Sequence, residues 1–246
     1  MEGLKRQLRF QMLDGKKSFI AFWSILLLSN VLFYILNSSV NVNIGFSESI
    51  SSSPGIDTVR ISVAASNIIA INIFIIVYSM VMYYESFPAA IGFSSTRWDF
   101  YRGAVIHNAI LAFAMALIQG TLMKLDGYFI NLIGKNPIYK QLIFDVKEDN
   151  ILYIIFMLTV IFMVVCSIFN LLGAALYRFT WKLWIVIGAC FLVIGNFASI
   201  GGVVSRIRMF IFNFDIVPLY VLKQLAFTVV LYILAYLLIR RISIRK

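Results

Sequence analysis

The chain is poor in most of what soluble catalysis is built from. One histidine, His107, stands in 246 residues, so an HExxH zinc motif or any site of several imidazoles is excluded. His107 falls one turn into an apolar stretch, where an interfacial or packed role and a proton-carrying role are both open. No GxxxxGK[ST] segment occurs, which removes the glycine-rich backbone cradle that holds nucleotide phosphates beside a lysine. No GxSxG nucleophile elbow occurs either. Cys166 and Cys190 lie in apolar stretches without CxxC or histidine spacing. They are most simply small core residues, and neither a disulfide framework nor a metal site is indicated. Only 13% of residues are charged, and the long apolar stretches carry almost no acid or base. Ionisable groups in such places usually mark proton- or ion-coupled transport. If the chain moves anything uphill, the energy enters from another subunit.

What is present in abundance is apolar length. The chain is 61% hydrophobic with a mean hydropathy of +0.92. A helix needs about 20 mostly apolar residues to cross a hydrocarbon layer of about 30 Å, and lipid obliges each such block to satisfy its own backbone hydrogen bonds. Six blocks qualify: Ser18–Leu36, Ile61–Tyr84, Gly103–Met123, Ile151–Tyr177, Leu183–Val204 and Leu219–Ile239. The expected fold is an all-α integral membrane protein of six transmembrane helices. It forms a single transmembrane domain over 1–246: an interfacial stretch 1–17, a bundle 18–239 and a basic tail 240–246. The first block is span-length and lacks a small-residue cleavage site, so a retained helix is expected rather than a signal peptide.

Charge orients the bundle. Six spans place both termini and the loops after the second and fourth spans on one side, which carries 13 cations against 4 acids. The other side, with Lys223 counted there, has 8 cations and 7 acids. Basic flanks stay cytoplasmic during insertion, so both termini are expected in the cytoplasm of a plasma membrane, in a bacterial cell. The formal charge of +10 does not call for nucleic acid as a partner, because most cations sit at helix ends beside anionic lipid head groups.

The connections have character of their own. In 1–17, Leu4, Leu8, Met12 and Leu13 recur at helical spacing with Lys5, Arg6, Arg9 and Lys16 on other faces. This suits a helix lying in the interface, with a basic topogenic tail as the alternative. Asn37–Arg60 is rich in Ser and Asn and contains Pro54-Gly55, predicting an irregular outer segment. Lys124–Asn150 mixes charge with Tyr128, Phe129 and Tyr139, predicting short interfacial helices. In Ser205–Pro218, Met209 to Phe212 suits either a shallow re-entrant helix or an amphipathic connector.

Within the spans the polar residues are neutral. Asn108, Ala112, Met115 and Gln119 share a helix face within about 60° at 100° per residue. Ser167, Asn170, Gly173 and Ala174 lie close together on the fourth span. Gly188, Gly195 and Gly202 repeat on the fifth, near Ser199. Small residues and amides let helices approach and bond across their interface, so packing is one role. A pathway lining formed by Asn108, Gln119, Asn170, Tyr232 and Tyr236 is the other.

The sharpest local signal follows the second span, from Glu85 to Gly103. Pro88 ends or bends the helix, Gly92 permits a tight change of direction, and Ser94, Ser95 or Thr96 can cap a new helix beginning near Arg97. The result is a short cytoplasmic coupling helix, or elbow, carrying exposed Phe93, Trp98 and Phe100 beside Arg97 and Asp99. Aromatic and arginine side chains together are the composition of a protein–protein anchor.

From Phe87 to Gly103 this element resembles the "P…(L/I)-G-x-(S/T)-R-x-(D/E)-(F/Y)-x-x-G" stretch of the membrane subunits of ABC exporters with six spans and no fused ATPase. Leu172–Lys182 is similar to a second stretch of the same proteins, with Thr180 where glycine is commoner. Among them the chain looks closest to small Firmicute permeases of peptide or modulin export and antimicrobial-peptide defence. The resemblance implies a division of labour. Separate cytoplasmic ATPase subunits would bind ATP and magnesium, and this chain would bind no cofactor and catalyse nothing. Coupling would fall to Phe87, Pro88, Ile91, Gly92, Phe93, Ser94, Ser95, Thr96, Arg97, Trp98, Asp99 and Phe100. Arg178, Phe179, Trp181 and Lys182 would form the second cytoplasmic loop. A second permease copy or a homologous permease would complete the pathway. Amphipathic peptides or hydrophobic compounds are the expected cargo, since neutral amides, Met and aromatics suit them. A membrane immunity or sensor protein that binds a peptide without moving it is the alternative. A membrane enzyme lacks its clustered nucleophile, base or metal ligands.

Overall fold

The computed structural model describes residues 2–39, 46–51, 57–93, 96–141, 144–180, 182–185, 188–189 and 217–240. These contain five helical stretches long and apolar enough to cross a membrane, making the chain a helical multi-pass membrane protein. They are α1 (Glu2–Ser39); α2 (Val63–Val81), continued by a π-helical turn at Met82–Ser86 and α3 (Phe87–Gly92); α4 (Arg97–Leu132); α5 (Ile151–Phe179); and α6 (Val217–Arg240). The predicted span Leu183–Val204 lies outside the described residues except for 183–185 and 188–189, as do nearly all of Ser205–Pro218 and the tail 241–246.

Three expectations about the connections are corrected. Residues expected to form a separate interfacial helix are instead the opening turns of the 38-residue α1. At 1.5 Å per residue α1 is about 57 Å long, well beyond one hydrocarbon thickness. Its packed face is not the leucine stripe: Gln7 and Gln11 are buried, whereas Met12 and Leu13 are exposed. Glycines make this approach close. A Cβ on Gly103 would stand 2.9 Å from Gln7 Cγ, and one on Gly3 would stand 3.0 Å from Asp99 Oδ2.

The outer segment expected to be irregular contains β1 (Phe46–Ser51) and β2 (Asp57–Ser62), antiparallel with Phe46 opposite Ser62. The Pro54-Gly55 pair lies between them, outside the described residues. Alternation of Val59 and Ile61 with polar neighbours is a period-2 pattern that a half-covered strand favours. Downstream, α4 runs on through Leu132 where short helices were expected. It stops in a Schellman motif: Gly134 adopts φ +75°, its N–H reaches Asn131 O at 3.0 Å, and the Lys135 N–H reaches Ile130 O at 3.2 Å. Then come β3 (Asn136–Pro137), parallel to β2, and the pair β4 (Lys140–Gln141) with β5 (Phe144–Asp145).

The packing falls into two units. One comprises Met1–Gln11, Ile75–Ala109 and Met163–Lys246, with a core of Tyr83, Phe87, Phe100, Tyr101, Tyr177 and Ile239. The other comprises Met12–Phe74 and Ile110–Phe162. It buries Ile61, Ile71, Met115, Met123, Ile130 and Ile154. In this unit a Cβ on Gly120 would lie 2.9 Å from Ile155 Cγ1, so α4 and α5 meet at a glycine.

Candidate functional site

The elbow between α2 and α4 is built by one proline and one threonine. Pro88 has no N–H, and its ring crowds the carbonyl four residues back. The helix absorbs this without stopping. The Phe87 N–H bonds Met82 O, five residues back, in the π-helical turn, and α3 then continues the same run. The Phe93 N–H closes it on Ala89 O at 3.0 Å. The short coupling helix is therefore an extension of the preceding span rather than a separate element. Gly92, expected to permit a tight turn, is simply the last residue of α3. Ser94 and Ser95 lie outside the described residues. Thr96 is the cap: its Oγ1 accepts the Asp99 N–H at 3.0 Å and donates to Asp99 Oδ2 at 2.8 Å, a reciprocal arrangement that satisfies an orphan donor of α4.

The aromatics sort into base and tip. Phe93 is 71% exposed and Trp98 about half exposed, but Phe100, expected to be exposed, is fully buried, as is Phe87. Phe87 and Phe100 meet edge-on with centroids 5.1 Å apart, and Phe87 meets Tyr177 at 5.6 Å. Such edge-to-face pairs add to the area they bury. Pro88 and Ile91 are half-buried. Arg97, expected to await a partner, already donates from Nη1 to the carbonyl oxygen of Arg240 at 2.8 Å. It thereby satisfies one of the unpaired carbonyls that end α6. Asp99 is committed to the Thr96 cap. Trp98 packs on Tyr236 at 4.9 Å, with the Arg102 guanidinium 5.6 Å from its ring centre. Phe93 and the open face of Trp98 are what remains for another molecule.

At the second loop, Phe179 and Lys182 are exposed, Arg178 lies over the Phe179 ring at 5.1 Å, and Trp181 lies outside the described residues. Thr180 has φ 57°, and its N–H bonds Leu176 O at 2.8 Å. This left-handed cap suits glycine.

The five candidate lining residues are placed by hydrogen bonds and packing. Asn108 Nδ2 donates to the Tyr232 hydroxyl at 3.4 Å, Gln119 Nε2 to Ala64 O at 2.7 Å, and the Tyr83 hydroxyl to Asn170 Oδ1 at 2.7 Å. Tyr101 donates to the Tyr232 carbonyl, and Tyr236 lies 5.4 Å from Tyr101. Ser167, Asn170 and Ala174 are fully buried, which is the geometry of packing glue. His107 shares a 2.8 Å hydrogen bond with the Tyr78 hydroxyl and is buried.

Sequence reasoning missed Asp126. Assigned to an outer loop, it sits in α4 and is 2% exposed. Its carboxylate accepts from the Tyr34 hydroxyl, from Ser62 Oγ at 2.6 Å and from the N–H groups of Val63 and Ala64. Ser62 Oγ in turn accepts the Ala65 N–H at 3.1 Å. Three orphan donors that open α2 are thus satisfied, two of them by a carboxylate from another helix placed where the helix dipole favours negative charge. The sequence signal pointed the other way, since Asp126-Gly127 is a turn-type pair, and only the apolar residues on either side, Leu125 and Tyr128 to Ile130, speak for a continuing helix.

No protein-family model, no curated protein and no solved structure matches the chain.

Proposed function

We propose that the chain is the permease subunit of an ATP-driven exporter, energised by a separate cytoplasmic ATPase and paired with a second copy or a related permease. The observation that carries this is the elbow: two buried phenylalanines, Phe87 and Phe100, fix it to the helices, while Phe93 and Trp98 face outward. Topology alone asks for a short basic loop and gives no reason for an aromatic tip on a packed aromatic base. A tip carried on one side by α3, which continues α2, and on the other by the capped first turn of α4 would pass a push at its surface into two spans as a rigid-body motion. The excess of cations on this side supports a cytoplasmic position.

The passenger in this reading is an amphipathic peptide or apolar compound moving outward. Asn108, Gln119 and Asn170 are neutral, and spans that offer amides, methionines and aromatics with few fixed charges suit such a cargo better than a small ion. The purified chain alone should hydrolyse no ATP.

Co-purification with an ABC-type ATPase encoded beside this chain tests the proposal. The pair Phe93→Ala and Trp98→Ala should insert normally and lose the ATPase, since each aromatic anchor is worth about 2 kcal/mol or more. Wild-type retention by the double variant would remove the elbow as the docking site. Binding of an amphipathic peptide with no ATPase at all would favour the sensor or immunity alternative.

A further inference from the structure

Residues 138–139 and 146–147 face the last turns of α4 across a half-open cavity of about 220 Å3 whose lining includes Lys124, Lys147, Asn131, Tyr139 and Tyr128. Its floor is apolar, with Met123 and Val146 buried. We propose that this cavity holds the phosphate of an anionic phospholipid head group.

Three observations point there. The first is unspent positive charge. Lys124 Nζ donates to the main-chain oxygen of Asp149 at 2.6 Å, and Lys147 Nζ lies 5.7 Å from the centre of the Tyr139 ring. Neither of these partners is a carboxylate, and an ammonium has three donors, so among the described residues Lys124 keeps two.

The second is where the neighbouring acids go. Asp145 Oδ1 accepts the Lys147 N–H at 2.9 Å, and Asp149 Oδ2 accepts the Asp145 N–H at 2.7 Å. Asp126 is buried against the start of α2. These three carboxylates accept from backbone and hydroxyl donors, Glu148 is exposed to solvent, and among the described residues none of the four is hydrogen-bonded to either ammonium group. Phosphate is the anion that two ammonium groups and a phenol match, as point charges plus a hydrogen bond.

The third observation distinguishes a lipid from a free anion. The cavity is smaller than the usual pocket for a drug-sized molecule and suits a head group alone. Tyr128 lines it and is also 73% exposed, alongside exposed Leu125 and Leu132. At 100° per residue these three lie within about 60° of arc on α4, forming an apolar strip that begins at the cavity. An acyl chain lies along that strip when the phosphate is in the cavity. Tyrosine at such a junction and lysine stems reaching along apolar surface are the usual furniture of a membrane interface.

The test uses the full chain in nanodiscs of mixed phosphatidylglycerol and phosphatidylcholine, released for native mass spectrometry. The wild type should retain phosphatidylglycerol selectively. Lys124→Gln with Lys147→Gln should weaken that selectivity about tenfold or more, while Lys124→Arg with Lys147→Arg should preserve it. If the glutamine pair unfolds, Lys147→Gln alone, at an exposed position, should still show a loss that Lys147→Arg does not. Equal retention of both lipids by the wild type, or unchanged selectivity in the glutamine variants, would overturn the proposal. Stabilisation of the detergent-solubilised chain by inorganic phosphate, with no lipid selectivity, would assign the cavity to a free anion and overturn the lipid.

Discussion

The Tyr83 hydroxyl donates to Asn170 Oδ1 at 2.7 Å, joining the end of the second predicted span to the fourth through two fully buried residues. Three residues further on, the chain places a glycine against the same ring. A Cβ on Gly173 would lie 2.8 Å from Tyr83 Cδ2 and 3.0 Å from the Ser79 carbonyl oxygen. Gly173→Val should therefore cost about 1–3 kcal/mol, since the backbone atom at Ser79 cannot swing aside. Tyr83→Phe, which strands the amide oxygen, should cost about 1 kcal/mol. Reversible unfolding in mixed micelles measures both, and a cycle with Asn170→Leu isolates the pair. A coupling near zero would mean the bond contributes nothing beyond shape.

The two faces of the elbow should separate cleanly. Phe93→Ala removes an exposed ring and should leave stability within about 0.5 kcal/mol. Phe100→Ala empties a fully buried site between Tyr83 and Phe87 and should cost about 3–5 kcal/mol. Thermal unfolding of the two variants side by side decides it. Equal losses would mean that Phe93 is packed in the native protein.

Thr180 offers a gain. A β-branched residue at φ 57° is strained where glycine is not, so Thr180→Gly should stabilise the chain by about 1 kcal/mol. Thr180→Val, which keeps the branch, should show no gain. A rise in unfolding temperature for glycine alone is the expected result.

Some of this was legible in the residues and some was not, for physical reasons. Apolar length is a local property, so the spans that fall on described residues were found near their observed places. Thr96 was one of three candidate caps because a short hydroxyl before Arg97 is a local signal. Burial of Phe87 and Phe100 depends on their contact with each other and on Tyr177, which is distant in sequence, and local composition only said "aromatic". The strands that begin within Asn37–Arg60 were hidden because serine-rich stretches suggest loops, although β-sheet pairing is settled by a partner strand. Asp126 was hidden for the same kind of reason: its donors come from Tyr34 and Ser62, 92 and 64 residues away.

That carboxylate should govern how firmly α2 begins. Asp126→Leu strands the Val63 and Ala64 amides and should release them to solvent or lipid. Hydrogen–deuterium exchange at these two amides should then speed up by about tenfold or more, matching a loss of 1.4 kcal/mol or greater. Ala65, held by Ser62 Oγ, should change less. Uniform behaviour of all three amides would show that Ser62, not Asp126, sets the helix start.

The π-helical turn at Met82–Ser86 also has a bearing on how tolerant this chain is to length changes. A wide turn holds one residue more than an α-helical turn would, and each residue is about 100° of azimuth. The surplus residue is absorbed within that one turn, so the stretch from Phe87 to the exposed Phe93 keeps the phase it would have on a regular helix. Deleting one position between Met82 and Ser86 would close the turn to an α-helical one and leave Phe87 facing Phe100 and Tyr177. The same deletion in the regular part of α2 has no surplus to draw on and would swing everything beyond it by about 100°.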